Sequence, residues 1–107
     1  MDHIQGISVQ ELAKMRKEKI PHQLIDVRED HEFHFCNIDG YLIPLGEIGY
    51  RSDEINKNEK VIVHCRSGQR SATAISILKQ KGFTNLFNLT GGILAWSHEI
   101  DRNIPIY

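Results

Sequence analysis

Apolar residues recur along the chain in short runs that are separated by polar turns, and these runs predict its secondary structure. Ser8 and Glu11 have the spacing of a capping box, and the apolar residues that follow predict a helix to about residues 16–18. Four mostly apolar runs predict strands, at residues 24–27, 41–43, 61–64 and 85–89. The segments between them favour helices or turns. Strands that alternate with helices indicate a parallel sheet covered on both faces.

The segments between the strands carry their own start and stop signals. Asp30 is expected to cap a short helical turn, and residues 46–51 are expected to form a short helix or turn. A longer helix ends near Gly82, and one apolar face of it comprises Ala74, Ile77 and Leu78. The last helix opens at Thr90, and its apolar face comprises Ile93, Trp96 and Ile100.

Size and charge restrict the class of protein. With 107 residues and 12.3 kDa, residues 1–107 fit a single domain that can bury one core. A net charge of -1 argues against a general attraction to nucleic acid or to anionic membranes. Neither a signal-like N-terminus nor a membrane-length apolar run is present, so we expect a cytoplasmic protein with no membrane partner.

The chemistry is concentrated where the strand at residues 61–64 ends. Ligands of parallel sheets bind beyond the carboxyl ends of the strands, and Cys65 stands there, directly before a predicted helix. The helix N-terminus, together with Arg66 or Arg70, is expected to lower the pKa of the thiol and favour the nucleophilic thiolate. Gly68 allows a tight turn whose successive backbone N–H groups can cradle an anion. The other cysteine, Cys36, forms no CxxC pair with it.

This loop resembles the active-site loop of single-domain rhodaneses, sulfurtransferases whose loop cysteine carries a persulfide. The segment at residues 24–29, followed by Glu32 and Phe33, is similar to the first signature of that family, and residues 91–96 are similar to its closing signature. These resemblances follow the expected order and cover nearly the whole chain. They imply an α/β fold with a central parallel sheet of about five strands and helices on both faces.

The resemblance also implies roles for individual residues. Cys65 is the expected catalytic nucleophile. The expected substrate-binding residues are Arg66, Ser67, Gly68, Gln69, Arg70 and Ser71. Among these, Arg70 is expected to point into the loop and Arg66 to guard its entrance.

The expected structural support of the loop comes from Asp26, Arg28 and Glu32. Asp26 is expected to accept backbone N–H bonds, and Arg28 is expected to pair with Glu32, because a buried charge needs partners. His64 is interpreted as structural, since its side chain should point away from that of Cys65.

The expected reaction moves a sulfane sulfur from a donor such as thiosulfate to a thiol, to cyanide or to a sulfur-carrier protein, and needs no cofactor. Two other functions stay open. The protein can be a persulfide-carrying or docking module without turnover, or a cysteine-dependent phosphatase or arsenate reductase. Four residues separate Cys65 from Arg70, where the phosphatase loop has five, so the ring is expected to suit one sulfur better than a phosphate. No metal site is expected, because His31, His34 and Cys36 share one short turn without a fourth ligand.

The middle of the chain departs from the commonest rhodanese pattern. Residues 36–45 look more like the rhodanese domains fused to enzymes that adenylate sulfur-carrier proteins, and residues 104–107 are similar to the ending of those domains. Met1 favours a free-standing protein, although a domain cut from such an enzyme has the same appearance. Participation of Cys36 as a resolving thiol stays open.

Overall fold

A parallel sheet organises the computed structural model, which describes residues 3–107. The elements in chain order are β1 (Gly6–Ile7), α1 (Val9–Lys17), β2 (His22–Asp26), α2 (Asp30–Phe35), β3 (Tyr41–Leu42), β4 (Lys60–His64), α3 (Gln69–Gln80), β5 (Leu86–Leu89) and α4 (Gly92–Glu99). Two 3-10 turns, Leu45–Glu47 and Ser52–Glu54, connect β3 to β4. In the described part of the chain the five strands are all parallel and lie in the order β1-β5-β4-β2-β3. Strand β4, which leads into Cys65, is therefore central.

The sheet separates two apolar layers. Successive side chains of β4 point to opposite faces, so Val61 and Val63 pack with α3 on one side while Ile62 packs with α1 and α4 on the other. Cys65 belongs to the first layer, with Ile75 and Leu78 of α3. Cys65 is thus anchored in the same core that fixes α3.

Most of the predicted elements are confirmed. The capping box at Ser8 is present, because the Ser8 hydroxyl accepts from the Glu11 amide at 3.1 Å and the Glu11 carboxylate accepts from the Ser8 amide at 3.3 Å. The predicted cap of α2 was wrong by one residue. Asp30 is already helical, and Glu29 takes the cap position while its amide donates to the Glu32 carboxylate at 3.0 Å.

Two further details differ from the sequence prediction. Strand β1 was not predicted, because Gly6–Ile7 offers only two residues and no alternation can be seen in so short a segment. On α3, Ile75 is buried where Ile77 was expected, and Ile77 is only partly buried against the same layer. Residues 3–107 contain no helix that is long and apolar enough to cross a membrane.

Candidate active site at the end of strand β4

The segment after β4 turns sharply into α3. Gly68 has a φ of 119°, a left-handed conformation that side chains disfavour, and it occupies the cap position of α3. Gln69, Arg70 and Ser71 therefore form the first turn of α3, where backbone N–H groups have no partner within the helix. One of these donors, the Ser71 amide, points at the sulfur of Cys65.

Three groups contact the Cys65 sulfur. The amide of Gly68 donates to Sγ at 3.1 Å, the amide of Ser71 at 3.4 Å, and the Ser71 hydroxyl lies 3.4 Å away. Burial of Cys65, which is 1% exposed, raises the pKa of its thiol, but the hydrogen bonds from Ser71, Gly68 and Ser67 together outweigh burial, and the pKa lies below its ordinary value. The loop therefore favours a thiolate that is shielded from water.

Helix α4 binds the same loop through two backbone hydrogen bonds. The amide of Ile93 donates to the Cys65 carbonyl at 3.0 Å, and the amide of Leu94 donates to the Arg66 carbonyl at 3.2 Å. A Cβ on Gly92 would lie 2.5 Å from the Arg66 carbonyl oxygen, so only glycine permits this approach. Because the Arg66 carbonyl and the Ser67 amide belong to one peptide group, the bond from Leu94 helps to hold the Ser67 amide toward the Cys65 sulfur.

Arg70 is bound by a carboxylate. Its Nη1 and Nη2 donate to Glu32 Oε1 at 2.6 Å and Oε2 at 2.9 Å, which joins α3 to α2 by a two-pronged ion pair. The Cys65 thiolate also favours the charged form of Arg70, so the guanidinium lies within electrostatic reach of the sulfur. Arg70 therefore connects the loop to Glu32.

The ion pair between Arg70 and Glu32 makes the free energy of unfolding depend on pH. Hydrogen bonding from Arg70 lowers the pKa of Glu32 from its ordinary 4.5 to about 2, against the opposing effect of burial. The stabilisation is therefore fully present above the unfolded value of 4.5 and is lost as the pH falls toward 2. We expect Glu32→Gln to be less stable than the wild type at neutral pH and to lose less stability over that acid range. Urea unfolding at a series of pH values measures both effects.

Asp53→Asn is the matched control, because it removes an exposed carboxylate far from the loop. Its stability should follow the wild-type pH dependence. A Glu32→Gln curve that runs parallel to the wild-type curve through the acid range would contradict this role of the ion pair.

The expected pairing of Arg28 with the Glu32 side chain was wrong. Arg28 makes a fully buried ion pair with Asp26, with Nη2 at 2.7 Å from Oδ2 and Nε at 3.0 Å from Oδ1. Arg28 donates to Glu32 only at its backbone carbonyl, and to the Cys36 carbonyl at 2.8 Å. Asp26 accepts one backbone N–H bond, from Arg28 itself. The physical reason is that Glu32 lies on the side of α2 that faces Arg70.

Arg66 turns toward the end of the described chain. Its Nε donates to the Tyr107 backbone oxygen at 2.7 Å, Nη2 donates to the same oxygen, and the guanidinium lies 5.2 Å from the centre of the Tyr107 ring. The Tyr107 hydroxyl donates to Glu32 Oε2 at 2.8 Å and accepts from Arg28 at 3.0 Å. Tyr107 thereby joins three charged residues beside the loop. It also lines, with His31, Glu32 and Phe35, an open hollow of about 390 Å³.

The remaining predicted residues have simpler environments. The side chains of Ser67 and Gln69 are exposed. His64 is fully buried with its ring Nε2 3.5 Å from Asp26, and burial lowers its pKa, so the ring is neutral. Cys36 is buried, and its Sγ contacts the Pro105 carbonyl at 3.7 Å. Within residues 3–107, no three His, Cys, Asp or Glu side chains are arranged to hold a metal ion.

The structure brings in two residues that the sequence analysis did not assign to the site. Asn88 of β5 accepts from the Ser71 hydroxyl at 2.6 Å and donates to the Gly68 carbonyl at 3.1 Å. The sequence signal that could have indicated Asn88 is that it is the one polar residue in the apolar run at 86–89, near the carboxyl end of a strand beside β4. Tyr107 offered no such signal, because its role depends on how the chain folds back.

These observations define a parallel α/β domain whose central strand leads into a buried cysteine that accepts hydrogen bonds from backbone amides. The sequence profile of the family described as "Rhodanese-like domain" matches residues 8–99. The crystal structure of a rhodanese-like domain protein from Staphylococcus aureus superposes with a TM-score of 0.83 at 32% identity, covering 97% of this chain and 99% of that one. The chain belongs to the rhodanese-like family.

Two curated relatives illustrate the range of proteins that contain such a domain. A sulfurtransferase of Allochromatium vinosum is 40% identical over 84 residues, which is 78% of this chain and 76% of that protein. The adenylyltransferase and sulfurtransferase MOCS3-1 of Zea mays is 31% identical over 109 residues, which is 94% of this chain. The chain spans only 23% of the length of that maize protein.

Proposed function

We propose that the protein is a sulfurtransferase that carries sulfur as a persulfide on Cys65. In the first step the Cys65 thiolate attacks the outer sulfur of thiosulfate, a Cys65–sulfur bond forms, and the sulfur–sulfur bond of the donor breaks. The electron pair of that bond leaves with sulfite. The amides of Gly68 and Ser71 stabilise the negative charge while it is in transit.

In the second step an acceptor removes the outer sulfur. Cyanide or a thiolate, which a small molecule or a sulfur-carrier protein can supply, attacks it, and the electron pair of the persulfide bond returns to Cys65 as a thiolate. The cycle is a pair of exchanges at sulfur, so it needs no oxidant, no cofactor and no general acid. Relatives named as sulfurtransferases support this reaction. The similarity of residues 36–45 to rhodanese domains fused to enzymes that adenylate sulfur-carrier proteins supports a sulfur-carrier acceptor.

The observation that carries the proposal is the set of donors aimed at one sulfur atom. Cys65 is 1% exposed and its sulfur already accepts from two amides, so the loop excludes water and supplies donors for the negative charge of a sulfur anion. A phosphate ester needs a free guanidinium fork to hold its oxygens. Here both terminal nitrogens of the Arg70 guanidinium are bound to the Glu32 carboxylate, which disfavours phosphoryl transfer.

We further propose that residues 1–107 act as one rhodanese domain, and that this domain works in the cytoplasm. Cys36 and Cys65 are free thiols, which suits a reducing compartment such as the cytoplasm. The sulfur donor is a small molecule, and we expect neither nucleic acid nor a membrane among the partners.

Intact-protein mass spectrometry tests the proposal directly. After incubation with thiosulfate we expect a gain of about 32 Da on Cys65, one sulfur atom, that a reductant removes. Addition of cyanide should remove the same mass and release thiocyanate, which also distinguishes a transferase from a module that only carries sulfur. An unmodified mass after thiosulfate, or efficient hydrolysis of an aryl phosphate, would overturn the proposed function.

A further inference from the structure

The amide of Asn88 has only one orientation that its neighbours allow. The Gly68 carbonyl can only accept a hydrogen bond, so the atom that faces it at 3.1 Å is the Asn88 NH2 group. The other end of the amide, which faces Ser71 Oγ at 2.6 Å, is therefore the carbonyl oxygen. Because this oxygen can only accept, the Ser71 hydroxyl has to donate to it.

A serine hydroxyl has one proton, and this proton has two acceptors within reach. When the proton is given to Asn88, the contact of Ser71 Oγ with Cys65 at 3.4 Å has to be a bond from the thiol S–H to the hydroxyl oxygen. That arrangement suits a protonated Cys65. A thiolate has no proton to donate, and it favours a hydroxyl that turns its proton toward the sulfur. A hydrogen bond from the Ser71 hydroxyl to the Cys65 thiolate therefore requires the Ser71 proton to leave Asn88.

We propose that Asn88 is a positioning residue that holds the Ser71 proton while Cys65 is a thiol and releases it when Cys65 ionises. This inference rests on the proposed function, since it concerns how the nucleophile of sulfur transfer becomes charged. Asn88 has a second effect through Gly68, because its NH2 group fixes the carbonyl of the residue whose own amide donates to Sγ. The first effect opposes ionisation, and the second favours it.

A double-mutant cycle separates the two effects. The Gly68 contact is lost in Asn88→Ala whether or not Ser71 is present, so its effect on the Cys65 pKa cancels between the two backgrounds. The titratable and charged groups around Cys65 include His64 of β4 and Arg70 of α3, which is bound to Glu32 of α2, and they are unchanged in all four proteins. What remains is the competition for the Ser71 proton.

The measurement is the pH dependence of Cys65 alkylation by iodoacetamide. All variants also carry Cys36→Ser, so that Cys65 is the single thiol that reacts. We expect Asn88→Ala to move the Cys65 pKa further downward in the presence of Ser71 than in Ser71→Ala. The difference should be about half a unit to one unit, the size of one neutral hydrogen bond, or roughly a three- to tenfold difference in alkylation rate below the pKa. A difference of zero, or one of opposite sign, overturns the inference.

Two additions keep the test decisive. Asn85→Ala is the matched control, because Asn85 lies immediately before β5 and its amide contacts Asn56 and Glu59 instead of Ser71, so its cycle with Ser71 should show no coupling. Asn88→Val, which suits a strand and offers no acceptor, replaces the alanine variant should that variant unfold.

The unmodified protein gives an independent measurement. The side-chain amide signals of Asn88 in nitrogen-15 spectra should shift with the same midpoint as Cys65 alkylation, and constant signals through that midpoint overturn the inference. Neither experiment uses a sulfur donor. Failure of the proposed function, seen as no persulfide, is therefore distinguishable from failure of this inference.

Discussion

Cys65→Ser is expected to reduce thiosulfate-to-cyanide sulfur transfer roughly a thousandfold or more, to the level of the uncatalysed reaction, while the protein stays folded. A serine hydroxyl at this position stays protonated at neutral pH and cannot form a persulfide, although the amides of Gly68 and Ser71 still point at it. Thiocyanate release measures the activity, and circular dichroism with urea unfolding measures the fold.

Cys36→Ser is the matched control, because it makes the same change at a buried cysteine whose recorded polar contact is the Pro105 carbonyl. Its activity should be close to that of the wild type. Sulfur transfer that survives in Cys65→Ser, or that is lost in Cys36→Ser, would show that Cys65 is not the nucleophile.

Arg28→Met is expected to cost about 3–5 kcal/mol of unfolding free energy, because it leaves the Asp26 carboxylate buried without its cation. Both side chains are fully buried, and the guanidinium also binds the carbonyls of Glu32 and Cys36. Urea unfolding at neutral pH measures the loss. A variant that also carries Asp26→Asn should recover part of it, since no buried charge is then left unpaired.

A partly exposed arginine gives the control for this change. Arg51 pairs with Glu47 and Glu54 near the surface, and Arg51→Met should cost much less unfolding free energy than Arg28→Met. If Arg28→Met is no more destabilising than Arg51→Met, the buried pair does not have the structural role assigned to it.

The fold was predictable because its signals are local. Four of the five strands in the described chain are runs of apolar residues, and the α/β architecture follows from their alternation with helices. Gly6–Ile7 was missed because two residues give no period, and it pairs with β5 only through contacts with a distant part of the chain. Local pattern therefore predicted the class of fold and failed at the edge strand.

The site was predictable where chemistry follows from neighbours in sequence, and not where it follows from side-chain partners in space. The position of Cys65 between a strand and a helix indicated its environment before any coordinates. The partner of Arg28 did not follow, because Glu32 is four residues away and looked suitable, whereas the nearer Asp26 forms the ion pair. Asn88 and Tyr107 reach the loop from distant segments, which the spacing of residues in sequence does not show.

The contacts of α4 with the loop have a consequence for the energy of each cycle of the proposed sulfur transfer. The peptide group that joins Arg66 to Ser67 cannot rotate without breaking the bond from the Leu94 amide to the Arg66 carbonyl, and its Ser67 amide is one of the donors that lower the pKa of Cys65. This dipole is consequently oriented when the chain folds, before any substrate arrives. Water would have to reorient around a charge that moves from donor to cysteine to acceptor, whereas this loop meets each charge with dipoles already in place. In the proposed reaction, the reorganisation energy of sulfur transfer is thereby lowered at every turnover by a feature that is established once, during folding.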